Sequence, residues 1–152
     1  KRQALRFARA EPEDTEALRR LARASEAHWG YDEAFMENFD AGFNVTEDFI
    51  RRNPVYAAGE RGCPAAFWGI RQDRDAWELE YFYVAEERLG RGLGKQMWEH
   101  MTGWCGKQEI CRIHFVTSPQ AVGFYRKMGA VRDGETRSPV DGRPVPHFVY
   151  DL

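Results

Sequence analysis

Three glycines alternate with other residues over positions 90–94, in the order Gly-Arg-Gly-Leu-Gly. Glycine carries no side chain, so this backbone can approach a bulky anion and adopt positive φ angles where they are needed. The unpaired N–H groups that open a following helix, together with the helix dipole, favour negative charge at the same place. Arg88, Arg91 and Lys95 add positive charge around the glycines. The residue types and their spacing therefore predict a phosphate-binding loop.

The spacing excludes two better-known phosphate motifs. A Walker A loop needs a glycine five positions before its Gly-Lys pair and a serine or threonine after it, but Leu89 and Gln96 stand there. The dinucleotide motif G-x-G-x-x-G fails as well, because this loop reads G-x-G-x-G. Glycines alone would also suit a flexible surface loop. The position directly after an aromatic strand favours the binding loop.

The elements around this loop follow from the hydrophobic pattern. Residues 77–84 are rich in aromatic side chains and predict a strand that leads into the glycines. Residues 95–106 have the apolar spacing of a helix, and residues 110–116 predict the next strand. Ser118 followed by proline is typical of a helix start, and Gly129 of the end of that helix.

The rest of the chain predicts a strand, helices, a hairpin and two last strands. In chain order we expect a strand at 5–9, a helix that Asp14 or Thr15 caps and that ends near 28–31, a second helix from about Asp32, a third at 46–52, a hairpin of 55–59 and 64–71, and strands at about 130–132 and 145–150. This order predicts a single mixed α/β domain over residues 1–152, built on one central sheet.

Composition and charge exclude several classes of protein. Hydrophobic residues make up 43% of the chain and charged residues 30%, which is ordinary for a globular domain. The formal net charge of -2 gives no field that would attract nucleic acid or an anionic membrane. No run approaches the roughly 18 apolar residues of a membrane span. The first residues do not have the apolar core of a secretory signal, so we expect a cytoplasmic protein.

The sequence predicts no metal site. Cys63, Cys105 and Cys111 are too few and too scattered for a zinc site or a disulfide framework, and we expect idle thiols. His100 and His114 fall on a predicted helix and a predicted strand without partners at metal-ligand spacing. The sequence therefore assigns neither histidine a role.

Two motifs make the chain resemble the GCN5-related N-acetyltransferase (GNAT) family. The first family motif, (Q/R)-x-x-G-x-(G/A), is similar to residues 89–94, with Leu89 in place of the opening Gln or Arg. The second, N-x-x-A-φ-x-F-Y-x-x-φ-G-F, is similar to residues 118–130, with Ser118 and Ala130 as the departures. The resemblance covers nearly the full length. It implies a central, mixed but mostly antiparallel sheet of about seven strands, flanked by about four helices.

The resemblance also implies a cosubstrate. A GNAT enzyme transfers the acetyl group of acetyl-CoA directly to a primary amine of a small molecule or peptide, in a ternary complex and without a metal. In the family the loop acts mostly through backbone amides, and the pantetheine arm pairs with the preceding strand, whose end offers an N–H to the oxyanion. The residues that the resemblance assigns to acetyl-CoA are Phe82, Tyr83, Val84, Leu89, Gly90, Arg91, Gly92, Leu93, Gly94, Lys95, Ser118 and Phe124.

Two glutamates on the strand before the loop are candidates for the general base. An alkyl amine has a pKa of around 10.4, so at neutral pH a carboxylate must take its proton, directly or through water. Glu78 and Glu80 have the two-residue spacing that places both on one face, with Leu79, Tyr81 and Tyr83 on the other. Sheets of the family often splay or bulge near this point, which would break the alternation. Glu78 matches the position where some family members carry the base, and we rank it first. A solvated or ion-paired strand residue is the open alternative for both.

Tyr125 is the candidate general acid for the departing thiolate, as the family resemblance implies. An unperturbed tyrosine has a pKa near 10 and a thiol near 8.5, so the phenol stays protonated and able to donate. Tyr125 also shares helical spacing with Ala121, Phe124 and Met128. From spacing alone it would equally be a core aromatic with a polar tip.

The acceptor side is predicted less sharply. His28, Trp29 and Tyr31 follow the first helix, where this family usually walls its acceptor pocket, and their rings would attract a cationic amine. Packing at a helix junction is the open alternative. Residues 138–144 join the last strands and would border the same pocket, although turn chemistry alone explains them.

Two further questions stay open at this stage. A non-catalytic acyl-CoA-binding sensor of the same fold is the alternative function, against which the presence of both Glu78 and Tyr125 argues. The aromatic content and the C-terminal strand would allow a homodimer. The sequence does not identify the acceptor amine.

Overall fold

The computed structural model describes residues 5–152. Its elements in chain order are β1 (Phe7–Arg9), α1 (Thr15–His28), α2 (Glu33–Gly42), α3 (Glu47–Arg52), β2 (Val55–Glu60), β3 (Cys63–Asp73), β4 (Ala76–Val84), α4 (Leu93–Lys107), β5 (Arg112–Val116), α5 (Val122–Lys127), β6 (Val131–Arg137) and β7 (Pro144–Asp151). The predicted α/β domain is confirmed, with seven strands and five α-helices among these residues. None of these helices has the length and apolar character that a membrane crossing requires.

All seven strands belong to one sheet, in the order β1-β2-β3-β4-β5-β7-β6. Neighbouring strands run antiparallel except β4 and β5, which are parallel and are connected through α4. β7 enters between β5 and β6, so the last strand of the chain borders the centre of the sheet. The expected mixed, mostly antiparallel sheet is therefore present.

The sheet carries a hydrophobic core on each face. On one face, Trp68, Met97 and Ile113 pack with α4 and α5 and are almost fully buried. On the opposite face, Leu18 from α1 and Phe67 from β3 pack with α2 and α3. Apolar side chains of the central strands thus point both ways, as expected for strands that are covered on both sides.

A β-bulge in β4 changes the alternation that the sequence predicts. Gly69 of β3 pairs with Tyr81, but the next residue, Ile70, pairs with Leu79, so Glu80 is the extra residue of β4. As a result Leu79 lies in the α4 core and Tyr81 in the α1 core. The expectation that Leu79, Tyr81 and Tyr83 share one face was wrong, because the bulge places Tyr81 and Tyr83 on the face opposite Leu79.

Two helices start with a side-chain cap that was not predicted, whereas the predicted caps of α1 and α5 are absent. The side chains of Asp32 and Thr46 accept hydrogen bonds from backbone N–H groups three residues later, as N-caps do. Asp14 does not cap α1, because it closes a short 3-10 turn and pairs with Arg61 instead. Ser118 likewise makes no side-chain cap, since a 3-10 turn over Pro119–Ala121 precedes α5 and divides the predicted helix in two.

Candidate functional site

The two parallel central strands meet at a single register pair in the described part of the chain. This pair joins Glu78 of β4 to His114 of β5, whereas β3 pairs with β4 as far as Val84. Beyond Glu78, no described residue of β4 has a register partner on β5. We call this opening the β4–β5 gap. It is closed at Glu78 and His114 and opens towards the carboxyl ends of both strands.

The glycine loop lies directly after β4 and starts α4. Gly90 and Gly92 have φ angles of +79° and +77°, in the left-handed region, and Gly92 is the N-cap of α4. The helix begins at Leu93, so the last two residues of the glycine stretch are helical rather than loop. A Cβ on Gly94 would stand 2.9 Å from the ring of Phe124, so only glycine allows α4 and α5 to approach this closely. Each of these three glycines therefore has a structural requirement.

The loop region keeps its positive charge available. Arg88, Arg91 and Lys95 are exposed, and within residues 5–152 none of them forms an ion pair. Leu89, which replaces the polar family residue, is 46% exposed and packs into neither core. Leu93 by contrast is buried and anchors the first turn of α4. Free cations beside unpaired helix N–H groups form an arrangement that suits a phosphate.

Tyr125 of α5 lies across the gap on its α4 side. Its ring centroid is 4.6 Å from that of Phe115 on β5 and 5.9 Å from that of Phe82 on β4. The residue is 7% exposed. Burial raises the pKa of the Tyr125 phenol above its usual value, and the negative charge of Glu26 adds to the rise. The phenol is therefore a protonated donor at neutral pH, and it bridges the strands that bound the gap.

Glu26 of α1 is a site residue that sequence reasoning missed. The Tyr83 phenol donates a hydrogen bond of 2.8 Å to Glu26 Oε1, and the neighbouring Ser25 hydroxyl donates to the Val84 carbonyl. Burial raises the pKa of Glu26, although the hydrogen bond from Tyr83 opposes the rise. Glu26 follows Leu18 and Ala22 at four-residue spacing, on the buried face of α1. That spacing could have identified Glu26 from the sequence, because a carboxylate on the buried face of a helix needs a hydrogen-bond partner.

Both predicted glutamates lie at the closed end of the gap and share one partner. Arg71 of β3 donates a hydrogen bond from Nη2 to Glu78 Oε1 and another from Nε to Glu80 Oε1, and both are 2.6 Å long. Burial, and then the charge of Glu80, raise the pKa of Glu78 to about 7, although Arg71 opposes the rise. The structure thus brings Glu78 and Glu80 together, and it also shows the ion pairing that the sequence left as an alternative.

A histidine pair stands beside these carboxylates. His114, the register partner of Glu78, has its Nδ1 atom 3.4 Å from Nε2 of His147 on β7. His147 Nδ1 in turn lies 3.1 Å from the backbone carbonyl oxygen of Asp133 on β6. The sequence assigned His114 no role, because the strand order that brings it next to β7 is set only in the folded sheet. His100 instead accepts a hydrogen bond from the Trp68 indole and stacks on Phe7.

The residues predicted for the acceptor side separate into two environments. His28 Nδ1 lies 2.9 Å from Glu86 Oε1, and Trp29 remains 44% exposed beside it. Tyr31 stacks on Phe35 with ring centroids 4.1 Å apart, and the Arg143 guanidinium lies 4.8 Å from the Tyr31 centroid. Tyr31 thus contacts the connection between β6 and β7, whereas His28 contacts the loop after β4. Their role towards an acceptor stays a prediction.

The remaining predicted contacts of the donor lie around the gap. Phe82 and Phe124 face each other at 5.8 Å between centroids, on the α4 side. Tyr83 points to the α1 side, towards Glu26, and Ser118 is half-buried where β5 leads into the 3-10 turn. In the part of the chain that the structure describes, no group of three or more His, Cys, Asp or Glu residues could hold a metal ion. The three cysteines are free.

Solved structures with a similar fold come from several sources. The PaiA N-acetyltransferase of Thermoplasma acidophilum, in complex with coenzyme A, has a TM-score of 0.75 at 18% identity, covering 99% of this chain and 100% of that one. A GCN5-related N-acetyltransferase of Rhodopseudomonas palustris has a TM-score of 0.78 at 18% identity, covering 99% and 97%. The ribosomal-protein-S18-alanine N-acetyltransferase of Escherichia coli has 0.72 at 16%, covering 97% and 94%. These likenesses establish the fold.

Comparison with family models and with curated proteins gives two different results. No curated protein matches the chain significantly. The model of the acetyltransferase (GNAT) family matches residues 15–130, a stretch that runs from α1 through the gap, the glycine loop and α5. This match covers most of the chain and includes both predicted motifs. The chain therefore belongs to the GNAT family of acetyltransferases.

Proposed function

We propose that this protein is an acetyl-CoA-dependent N-acetyltransferase that acts on a primary amine of a small molecule or peptide. The observation that carries the proposal is the position of the Tyr125 phenol across the β4–β5 gap, between Phe82 and Phe115. An acid at this place lies beside the part of β4 that has no register partner on β5, and the N-terminus of α4 follows that part in the chain. Transfer is direct, within a ternary complex of enzyme, donor and amine.

Binding of acetyl-CoA uses the free backbone of the gap and the loop. The edge of β4 from Phe82 to Val84 offers N–H and C=O groups to the amides of the pantetheine arm, in the manner of an added strand. The N–H groups at the start of α4 and the exposed cations Arg91 and Lys95 receive the phosphates. The acyl thioester then reaches the closed end of the gap, where a backbone N–H of β4 would stabilise the oxyanion.

The reaction needs a neutral amine and a leaving group that can depart. The amine nitrogen attacks the thioester carbonyl carbon and forms the C–N bond, the oxyanion collapses, and the C–S bond breaks. Tyr125 donates its proton to the departing thiolate, a transfer that a buried, protonated phenol is suited to make. The electrons of the C–S bond leave with sulfur, so the products are the acetylated amine and CoA thiol.

Removal of the amine proton is assigned to the polar cluster at Glu78 and Glu80. With a pKa of about 7, Glu78 is a stronger base than an ordinary carboxylate and is partly ionised at neutral pH. Each glutamate already gives one oxygen to Arg71, which leaves the second oxygen for the amine or for a water. The acceptor would approach past Trp29 and Tyr31, whose faces attract a cation.

A direct assay tests the proposal. Purified protein is titrated with acetyl-CoA, and CoA thiol release is measured over a panel of primary amines and peptides with free amino termini. We expect saturable acetyl-CoA binding and thiol release that depends on one class of amine. Binding without release by any amine would favour the acyl-CoA sensor instead, and absence of binding would refute the family activity for this chain.

A further inference from the structure

The closed end of the β4–β5 gap contains a base that the glutamates do not supply. His114 occupies the last shared rung of β4 and β5, opposite Glu78, and its side chain points away from the α4 core, because Ile113 and Phe115 on either side are buried there. It is half-buried. The imidazole therefore stands on the α1 side of the sheet, at the point where the gap ends.

Hydrogen bonding fixes which nitrogen of this imidazole carries the proton. His147 Nδ1 lies 3.1 Å from the backbone carbonyl oxygen of Asp133 and 3.9 Å from Oδ2 of the Asp133 carboxylate. Both oxygens can only accept a hydrogen bond. His147 Nδ1 must then carry hydrogen, and in the neutral ring Nε2 is the acceptor. His114 Nδ1, 3.4 Å from that Nε2, consequently acts as the donor. His114 Nε2 is left with a free lone pair.

The charges around His114 keep the ring neutral near pH 7. Burial lowers the pKa of His114, and the electrostatic effects of the neighbouring His147 and Arg71 lower it further. Asp73 and Glu80 oppose that change, and both are held near Arg71. The groups that face the imidazole are Arg71 and Asp73 from β3, Glu78 and Glu80 from β4, Asp133 from β6 and His147 from β7. A neutral imidazole with an open lone pair is the form that a general base requires.

The glutamates are less well prepared for the same task. Both carboxylates accept short hydrogen bonds from the single guanidinium of Arg71, which occupies one oxygen of each and opposes the rise in the pKa of Glu78. The His114 Nε2 atom has no such competitor among the described residues. Of the three groups at the closed end, the imidazole is thus the one that accepts no hydrogen bond from Arg71.

We propose that His114 Nε2 is the general base for the acceptor amine and that His147 is a positioning residue that fixes its tautomer. This inference rests on the proposed function and replaces the glutamate with the histidine in one step of it. The ammonium gives one proton to His114 Nε2, the resulting amine attacks the thioester, and the imidazolium releases the proton to solvent. After the attack, the nitrogen loses a second proton to the Tyr125 phenolate. This restores the phenol that protonated the thiolate. Glu78 and Glu80 hold Arg71 and stabilise the transient imidazolium.

Kinetics with His114→Gln test the role of the base. We expect kcat at pH 7 to fall about 10²-fold with little change in KM for acetyl-CoA, the usual contribution of a positioned base. In wild type, kcat/KM falls as pH drops through the pKa of His114, and His114→Gln should lose this acid limb and follow the ionisation of the amine alone. His114→Ala should regain activity on addition of imidazole. His100→Gln is the matched control, since its amide still accepts from Trp68, and should keep both the rate and the limb.

Two outcomes would overturn the proposal. One is a His114→Gln variant with wild-type kcat, and the other is a slow variant that keeps the acid limb and is not rescued by imidazole. A third test uses the wild-type protein, so it does not require that any variant fold. Long-range ¹H–¹⁵N NMR should show His114 protonated at Nδ1, and the Nε2–H tautomer would contradict the assignment. If wild type acetylates no amine, the proposed function fails, and the NMR result still decides the tautomer.

Discussion

The two sides of the β4–β5 gap use charge in different ways. On the donor side, the loop at residues 90–94 and the start of α4 present backbone N–H groups and cations that have no ion-pair partner within residues 5–152. On the acceptor side the charged groups are paired with one another, Arg71 with Glu78 and Glu80, and Arg143 with Asp141. The donor side is thus suited to a ligand whose phosphates stay negatively charged at every working pH. The acceptor side is a titratable cluster, and its state depends on pH.

Because of this difference, we expect substitutions on the two sides of the gap to affect different kinetic parameters. Changes on the donor side should alter affinity for acetyl-CoA in the same way at every pH. Changes in the acceptor cluster should alter turnover and its pH dependence and leave donor affinity unchanged. Tyr125 belongs to both, because its ring bridges β4 and β5. The predictions below begin with that shared residue.

Removal of the Tyr125 hydroxyl should have the largest effect. Tyr125→Phe keeps the ring that packs on Phe115 and removes the proton donor, so we expect kcat to fall about 10²-fold with an unchanged Kd for acetyl-CoA. Steady-state kinetics and calorimetric titration measure the two quantities. Tyr150→Phe, another tyrosine beside the same Trp98, is the control and should keep wild-type kcat. Unchanged turnover in Tyr125→Phe would remove Tyr125 from the mechanism.

A pair of glycine variants in α4 tests the donor side. Gly94→Ala places a Cβ 2.9 Å from the Phe124 ring, so we expect a loss of about 2 kcal/mol in the free energy of unfolding and weaker acetyl-CoA binding. Gly103→Ala lies in the same helix with nothing within 4 Å of its Cβ, and should gain roughly 0.5–1 kcal/mol. Urea unfolding measures both. Equal responses of the two variants would show that the contact with Phe124 does not constrain this helix.

These contacts also show where sequence reasoning succeeded. The glycine loop and the segment 118–129 are each a single short stretch, so their patterns could be recognised locally, and the family resemblance then gave Tyr125 its role. The resemblance implied that a bulge is common in this strand, but its position at Glu80 depends on how β3 pairs with β4. His114 and His147 come together only because β7 lies next to β5. Contacts that one short segment makes could be predicted, whereas contacts across strands depend on a sheet order that local patterns do not specify.

The pH dependence of stability tests the acceptor cluster. The pKa of Glu78 is raised to about 7, so its contribution to stability is complete below the unfolded value of about 4.5 and is lost as pH rises through 7. Wild type should therefore lose stability between pH 5 and 8, and Glu78→Gln should lose less, by on the order of 1 kcal/mol. Thermal unfolding at the two pH values measures this. Glu99→Gln, on the exposed side of α4, should behave like wild type. Parallel pH profiles for Glu78→Gln and wild type would contradict the raised pKa.

The contact between Arg143 and Tyr31 should give the smallest effect. The guanidinium lies 4.8 Å from the Tyr31 ring centroid and 5.2 Å from that of Phe35, and Asp141 holds it in place. Arg143→Gln removes the cation but not the stacked rings, so we expect only a small loss in the free energy of unfolding. KM for the amine should change by a few-fold, while the Kd for acetyl-CoA should not change.

A second arginine in the same part of the sheet provides the control for this contact. Arg132 on the exposed strand β6 pairs only with Glu135, at 3.5 Å, in the described part of the chain, and contacts no aromatic ring there. Arg132→Gln should leave both the stability and KM for the amine unchanged, because an exposed pair contributes little. A shift in acetyl-CoA affinity with Arg143→Gln would show that the β6–β7 connection also acts on the donor. The two sides of the gap would then be coupled, and the division of kinetic parameters between them would not hold.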